Sequence, residues 1–181
     1  MSNVDQHVYL YAQRDNSGHV SWVWMYDGKF GGTSAFPPVD TKKGRNDIYF
    51  NIVDTTGAIK FKGYPSDISQ ALWLSPKGSP TAKKPGIHVD SKDFDSFGFG
   101  QGGTQLKIGD VNGKVKDFVY QLNFVDTTNS TVQVPSIDPE IRNGDGSPLY
   151  EAIAIYVGAA LVGAMLTVAF VRLALGWRPA A

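Results

Sequence analysis

The chain has no cysteine, only three histidines and only two glutamates among its 181 residues. The absence of cysteine excludes disulfides, thiol catalysis, zinc fingers, iron–sulfur clusters and blue-copper sites. His7, His19 and His88 are far apart in sequence and lack the paired spacing of metal ligands. No Walker loop, nucleophile elbow, metalloprotease helix or EF-hand motif occurs. The sequence therefore predicts a protein that is not an enzyme and that holds neither a cofactor nor a metal.

An excess of charge of either sign is also missing. Residues 1–150 carry 15 Lys and Arg against 16 Asp and Glu, a net charge of −1. A nucleic-acid-binding protein normally presents a basic face, and a protein that binds anionic lipid normally has a basic cluster next to the membrane. Neither pattern is present, so we expect no nucleic-acid partner.

What is abundant is the chemistry of strands and turns. Fifteen of the seventeen acidic residues are Asp, which favours turns, whereas Glu favours helices. The turn residues separate eight runs rich in aromatic and β-branched side chains, at 8–13, 19–26, 47–53, 59–64, 71–74, 105–108, 118–125 and 131–134. The segment Asp15-Asn16-Ser17-Gly18 predicts a turn between the first two runs. We expect a mainly β domain, a single antiparallel β-sandwich of immunoglobulin-like or jelly-roll type.

Two further patterns refine this expectation. Residues 48–56 and 119–128 resemble each other, which predicts two similar hairpins in two facing sheets. Residues 75–103 contain many glycines and prolines and little periodicity, which predicts a long functional loop. Aromatic residues exposed on such a loop are typical of a protein interface, so Phe94, Phe97 and Phe99 are candidate interface residues.

An uncharged stretch of twenty residues, 152–171, lies near the C-terminus. At about 1.5 Å per residue a helix of this length covers about 30 Å, the thickness of a hydrocarbon core. Suitable membrane-interface anchors flank it, namely Tyr150, Arg172, Trp177 and Arg178. The stretch therefore predicts a transmembrane helix that contacts the lipid bilayer.

Small residues spaced four apart give one side of this predicted helix room to approach another helix. They are Ala154 and Gly158, Ala159 and Gly163, and Ala160 and Ala164. This pattern indicates packing against the helices of integral membrane protein subunits.

The predicted organisation is a β-sandwich domain at 1–143, a short Gly/Pro joint at 144–151, a transmembrane helix at 152–175 and a short tail at 176–181. The N-terminus lacks the basic and apolar regions of a signal peptide, which favours a tail-anchored, single-pass protein. We expect the β domain in the cytoplasm and the C-terminus on the opposite side. The basic residues near the helix have a weak bias the other way, because one lies before the helix and two after it.

A short motif follows the last predicted strand. Asp138-Pro139 and, four residues on, Asn143 resemble the C-terminal motif of the DP-EP family of small bacterial β-rich proteins. The second half of the family motif is absent, since residues 144–148 contain no Glu-Pro. The resemblance covers about ten residues and implies a β-rich fold without implying an activity.

Two functions are compatible with these features. The favoured one is a non-catalytic accessory or scaffold subunit, whose helix packs into a larger membrane complex, such as a respiratory or photosynthetic one, and whose sandwich covers one face of it. The alternative is a membrane-tethered binding module that recognises carbohydrate, peptide or a cell-surface partner. Protease accessibility of the domain in intact cells and co-purification with stoichiometric partners distinguish the two.

Overall fold

A computed structural model describes residues 4–32, 38–41, 44–82, 84–112 and 116–143. The prediction of a mainly β protein is confirmed. The strands of these residues are β1 Val4–Arg14, β2 Val20–Tyr26, β3 Lys29–Gly32, β4 Val39–Thr41, β5 Asn46–Val53, β6 Ile59–Phe61, β7 Leu72–Pro76, β8 Phe94–Gly100, β9 Gln105–Asp110, β10 Lys116–Leu122, β11 Phe124–Asp126 and β12 Glu140–Asn143. One helical turn, α1 Ile68–Ala71, and a 3₁₀ turn, Gln101–Gly103, complete the described elements.

The strands form three sheets. The six-stranded sheet has the order β3-β2-β1-β5-β9-β8, the four-stranded sheet the order β4-β12-β10-β7, and β11 pairs with β6 in a third, two-stranded sheet. Two pairs, β1 with β5 and β4 with β12, are parallel. The expectation of a purely antiparallel arrangement is therefore wrong at these pairs. Parallel neighbours need a long connection, and β1 and β5 are separated by β2, β3 and β4.

One apolar core joins the three sheets. Strand alternation places Val8 and Leu10 of β1 on the inner face, together with Ile48, Phe50 and Ile52 of β5. Aromatic pairs then connect the sheets, with ring centroids 5.2 Å apart for Phe50 and Tyr120, 4.8 Å for Phe94 and Phe118, and 4.4 Å for Trp22 and Phe124. Burial of these large side chains supplies the main driving force for folding.

A buried ion pair connects the six-stranded and two-stranded sheets. Arg14, the last residue of β1, donates from Nη2 to Oδ2 of Asp126 at 2.7 Å, and only 1% of the Asp126 side chain is exposed. The other carboxylate oxygen accepts the backbone N–H groups of Thr128 and Asn129 and the Thr128 hydroxyl, at 2.8–3.0 Å. Burial alone would raise the pKa of Asp126, but the hydrogen bonds from Thr128 and Arg14 lower it to about 2.

Seven of the eight predicted runs coincide with strands, and the turn at residues 15–18 joins β1 to β2 as expected. Residues 131–134 are not a strand. The Asn129 side chain accepts hydrogen bonds from the backbone N–H and hydroxyl of Thr131, which closes a turn where the sequence predicted a strand. The two similar segments begin in different sheets, the first in β5 and the second in β10. The prediction that each forms a hairpin is wrong, because β6, which follows the first segment, pairs with β11, which lies within the second.

The predicted loop at 75–103 is a loop only in part. It contains β8, an edge strand that pairs with β9, so the expectation of an unstructured segment is wrong at Phe94–Gly100. Two of its seven residues, Gly98 and Gly100, are glycine and concealed this strand, because Gly is rare in strands. Among the residues that the structure describes, no helix is both long enough and apolar enough to cross a bilayer.

Candidate partner-binding face

The outer face of the six-stranded sheet carries large apolar side chains that do not contribute to the core. Residues 8 and 10 of β1 point inward, so the residues between and after them point outward. Register pairs Tyr9 with Met25, Tyr11 with Val23, and Met25 with Phe30. Across the parallel pair, Tyr11 also lies next to a valine of β5. We call this group the apolar patch: Tyr9, Tyr11, Val23, Met25, Phe30 and Val53.

The apolar patch is accessible. Phe30 is 67% exposed and Val53 is 38% exposed, and both are among the most exposed large apolar residues described. Tyr9, Tyr11 and Met25 are half-buried, since their neighbours cover only their flanks. Scattered apolar residues on a surface need no explanation, but a contiguous group spread over four adjacent strands is typical of an interaction site.

The other half of the same face is polar and internally bonded. The ring of His7 stacks on that of Tyr49 with centroids 4.8 Å apart, and the ammonium of Lys107 lies 5.5 Å from the centroid of the Tyr49 ring. Lys107 also donates to Asp47 at 2.8 Å, and this hydrogen bond raises the pKa of Lys107. On the next row the Gln105 amide donates to Asn51 at 2.8 Å.

Arg45 extends this polar half toward β8, because it pairs with Asp95 of β8 as well as with Asp47 of β5. The carboxylates and amides of the polar half are thus engaged with each other and form a rim beside the apolar patch. An apolar centre with a polar rim is the common composition of a protein–protein interface.

The predicted interface residues of the 75–103 segment lie on β8. Phe94 is 2% exposed and contacts Phe118 edge-on, so it is a core residue. Phe97 and Phe99 are half-buried and pack against the core, and Phe99 also contacts Tyr64 with the ring planes at 85°. The premise that all three are exposed on a loop is therefore wrong. Their participation in an interface stays a prediction, since β8 is an edge strand.

The histidines are not brought together. His7 lies on the outer face, His19 follows the first turn, and His88 donates its backbone N–H to Leu74 beside β7. Within the described residues, no three His, Asp or Glu side chains are close enough to hold a metal ion.

A second surface feature is a shallow depression on the four-stranded sheet, which we call the Trp73 depression. It is open to solvent and has room for about one water molecule. Adjacent strands supply most of its lining, since register pairs Trp73 with Gln121 and Ser75 with Val119. Its lining residues are Trp73, Ser75, Val119, Tyr120, Gln121 and Asp138.

The Asp-Pro motif forms one side of this depression. Asp138 is exposed, while its neighbours fix the backbone: Ile137 exchanges two hydrogen bonds with Leu122, at 2.8 and 3.1 Å, and the carbonyl of Pro139 accepts the N–H of Tyr120 at 3.0 Å. The motif therefore positions a carboxylate next to β10 and leads directly into β12.

Several predicted site residues lie outside the described residues. These are the helix-packing residues Ala154, Gly158, Ala159, Ala160, Gly163 and Ala164, and the membrane-interface anchors Tyr150, Arg172, Trp177 and Arg178. The domain boundaries after residue 143 also stay predictions.

Sequence reasoning missed the apolar patch, although a signal for it exists. The run from His19 to Tyr26 is apolar on both faces, as is β1 at Tyr9 and Tyr11. Apolar residues on both faces of a strand are typical of a strand that is covered on both sides.

No protein-family model matches the chain, and no curated protein is significantly similar to it.

Proposed function

We propose that this protein is a non-catalytic accessory subunit of a membrane protein complex, and that its β domain docks on a partner subunit through the apolar patch. In this proposal the domain is a β-sandwich of immunoglobulin-like or jelly-roll type, followed by a single transmembrane helix at 152–175. The observation that carries the proposal is the contiguous apolar patch on the outer face of the six-stranded sheet.

Composition favours a protein over a lipid surface as the occupant of the patch. Tyr, Phe and Met are enriched in protein interfaces, and Tyr9, Met25 and Phe30 belong to these types. A surface that binds anionic lipid has several Lys or Arg residues around its apolar centre. On the adjoining polar half, Lys107 is paired with Asp47, and no excess of basic residues surrounds the patch.

The length of chain that follows β12 supports a membrane-embedded partner. Eight residues, 144–151, separate the domain from the uncharged stretch, and even fully extended they span at most about 29 Å. A domain held so closely can only reach proteins at the membrane surface. The small residues of the uncharged stretch fit helix packing against the same partner.

Two experiments test this proposal. Full-length chain should sediment with membranes, and deletion of residues 152–181 should release the domain into the supernatant. After extraction in mild detergent, the full-length chain should co-purify with at least one integral membrane protein in a fixed stoichiometry, which mass spectrometry identifies.

The patch is tested by charge insertion with a matched control. Phe30→Asp combined with Tyr11→Asp should lose the membrane partner while the thermal unfolding midpoint of the domain is kept. Val125→Asp is the control, because Val125 is 37% exposed on β11 and lies outside the patch. Retention of the partner by the double variant, or a wild-type chain that purifies alone or as a homodimer, contradicts docking through the patch.

The alternative, a membrane-tethered binding module with its domain outside the cell, shares the tether and differs in location. Digestion of the domain by protease added to intact cells would favour this alternative over the accessory subunit.

A further inference from the structure

The edge strand β8 leaves backbone hydrogen-bonding groups open. It pairs only with β9, and at seven residues it is the longest edge strand in the part of the chain that the structure describes. The next longest, β7, is covered, because the N–H and C=O of Leu74 bond the backbone of Gly86 and His88. Lysine and proline, which often protect an edge strand from further pairing, do not occur in β8.

The register decides which residues of β8 direct their backbone groups to this open edge. Thr104, directly before β9, accepts the N–H of Ile52 of β5 at 2.7 Å. Because successive residues of a strand direct their backbone groups to opposite sides, the even-numbered residues of β9 bond β5 and the odd-numbered ones bond β8. Gly98 faces an odd-numbered residue of β9 and therefore bonds it. The N–H and C=O groups of Phe97 and Phe99 point away from β9.

These four groups are available to a further chain. Among the described residues, no strand pairs with this side of β8 and no other backbone group bonds Phe97 or Phe99 there. Residues 96–100 are all partly exposed. Residues two apart on a strand are separated by about 7 Å, which matches the repeat of hydrogen-bonded positions on an antiparallel neighbour. The open edge is therefore complementary to an extended peptide.

The two sides of the open edge offer different surroundings. Phe97 and Phe99 lie on the inner face, half-buried against the core, and the ring of Tyr64 meets that of Phe99 edge-on with centroids 5.6 Å apart. We call these three residues the aromatic ledge. On the outer face a Cβ added to Gly98 would meet no atom within 4 Å. An added strand therefore meets an apolar surface on one side and open space for a large side chain on the other.

We propose that the open edge of β8 binds an extended segment of a partner protein as an added antiparallel strand. Two residues of the segment, opposite Phe97 and Phe99, exchange hydrogen bonds with them and direct apolar side chains onto the aromatic ledge. The residue between them lies opposite Gly98 and is aromatic or β-branched, because a large cross-strand side chain compensates for a glycine. This site is at the opposite edge of the sheet from β3 and does not depend on docking through the apolar patch.

A second copy of this chain fits the edge less well. If Phe97 of one copy paired with Phe99 of the other, Gly98 would face Gly98, and the pair would lack the cross-strand side-chain contact that stabilises a sheet. If instead Phe97 paired with Phe97, Phe99 would face Asp95, where a β-bulge interrupts the strand. A partner segment with three consecutive large residues avoids both faults.

The test uses the full-length protein in detergent and a synthetic probe, the peptide acetyl-Lys-Thr-Val-Tyr-Val-Thr-Lys-amide. Exchange of backbone N–H protons with deuterium is followed by NMR. In the free protein the N–H groups of Phe97 and Phe99 should exchange fast, whereas that of Gly98, which is bonded to β9, should exchange slowly. A saturating concentration of the probe should slow the exchange at both phenylalanines about tenfold or more.

Methylated probes test the hydrogen bonds and the register. Methylation of both valine nitrogens removes the donors to the carbonyls of Phe97 and Phe99 and should weaken binding about tenfold. Methylation of the tyrosine nitrogen is the matched control. This nitrogen is directed away from β8, so binding should be nearly unchanged.

A charge pair identifies the position opposite Gly98. Gly98→Glu should bind a probe with Lys in place of Tyr about twofold or more tightly than a probe with Glu there, because opposite charges attract across a strand pair. Gly32→Glu, on the edge strand β3, is the control, since an added Cβ there also meets nothing within 4 Å. It should bind the two probes equally.

Several results would overturn the proposal. Slow exchange of Phe97 and Phe99 in the free protein would show that the edge is already covered, by the chain itself or, if protection rises with protein concentration, by a second copy. Absence of saturable binding, or equal binding of the probe methylated at both valines, would also contradict strand addition. Phe30→Asp combined with Tyr11→Asp should leave probe binding unchanged, so this inference and docking through the apolar patch fail separately.

Discussion

The buried ion pair between Arg14 and Asp126 allows a quantitative prediction about stability. Asp126→Asn replaces the carboxylate by an amide that can still accept the hydrogen bonds of the Thr128 turn but carries no charge for Arg14. The pKa of Asp126 is about 2 in the folded protein against an ordinary 3.8. At about 1.4 kcal/mol per pH unit, this difference corresponds to about 2 kcal/mol of folding stability at neutral pH.

The sign of the pH dependence follows from the lowered pKa. Asp126 contributes its full stabilisation above pH 3.8, and the contribution is lost as the pH falls through about 2. Other carboxylates titrate in the same range, so the informative quantity is the difference between wild type and Asp126→Asn. That difference should be about 2 kcal/mol at pH 7 and should shrink steadily between pH 4 and pH 2.

Urea unfolding of the full-length protein in detergent, followed by tryptophan fluorescence, measures both quantities. Glu140→Gln is the matched control, because Glu140 pairs with Lys77 at 3.0 Å on the surface, where the two side chains are 30% and 48% exposed. The control should change the free energy of unfolding by about 0.5 kcal/mol or less. If Asp126→Asn is as mild as the control, or if its deficit is unchanged at pH 2, the reasoning about the buried pair is refuted.

Three further predictions concern the core and the ends of the six-stranded sheet. Gly31→Ala should destabilise the domain by about 1–3 kcal/mol in the same unfolding assay, because an added Cβ would collide with the Trp24 ring. Gly32→Ala is the control and should be close to neutral, because a Cβ there meets nothing within 4 Å. Phe118→Ala should cost about 3–5 kcal/mol, since Phe118 is fully buried, and a loss below 1 kcal/mol would mean that the core collapses around the cavity. Burial raises the pKa of Tyr26 to about 12, so this group stabilises the fold below pH 10 and loses that effect toward pH 12. Tyr26→Phe should therefore remove one tyrosine that ionises at high pH from a spectrophotometric titration, and an unchanged titration would contradict this assignment.

The sequence predicted the strands that carry strong side-chain signals. β1, β2 and β5 have alternating or continuous runs of large apolar residues. Burial of these residues stabilises the strands that the pattern predicts. β3 and β8 escaped prediction because two of four and two of seven of their residues are glycine, so pairing with a neighbour, and not side-chain preference, makes them strands.

The pairing of strands that are far apart in the chain could not be predicted from the sequence either. β4 and β12 are three and four residues long. β4 pairs with β12, about 100 positions away in the chain, and β12 pairs with both β4 and β10. The parallel contacts of β1 with β5 have the same origin. The lining of the Trp73 depression depends on this pairing as well, since Asp138 meets β10 only through the folded topology.

The place of β12 in its sheet has a mechanical consequence. Although it is the last described strand, it lies between β4 and β10 and is hydrogen-bonded on both sides. Tension directed along β12 from its C-terminal end therefore acts on an inner strand and loads two rows of backbone hydrogen bonds in shear at the same time. Removal of β12 from its sheet breaks hydrogen bonds to two neighbouring strands, whereas removal of β3 or β8 breaks those to only one.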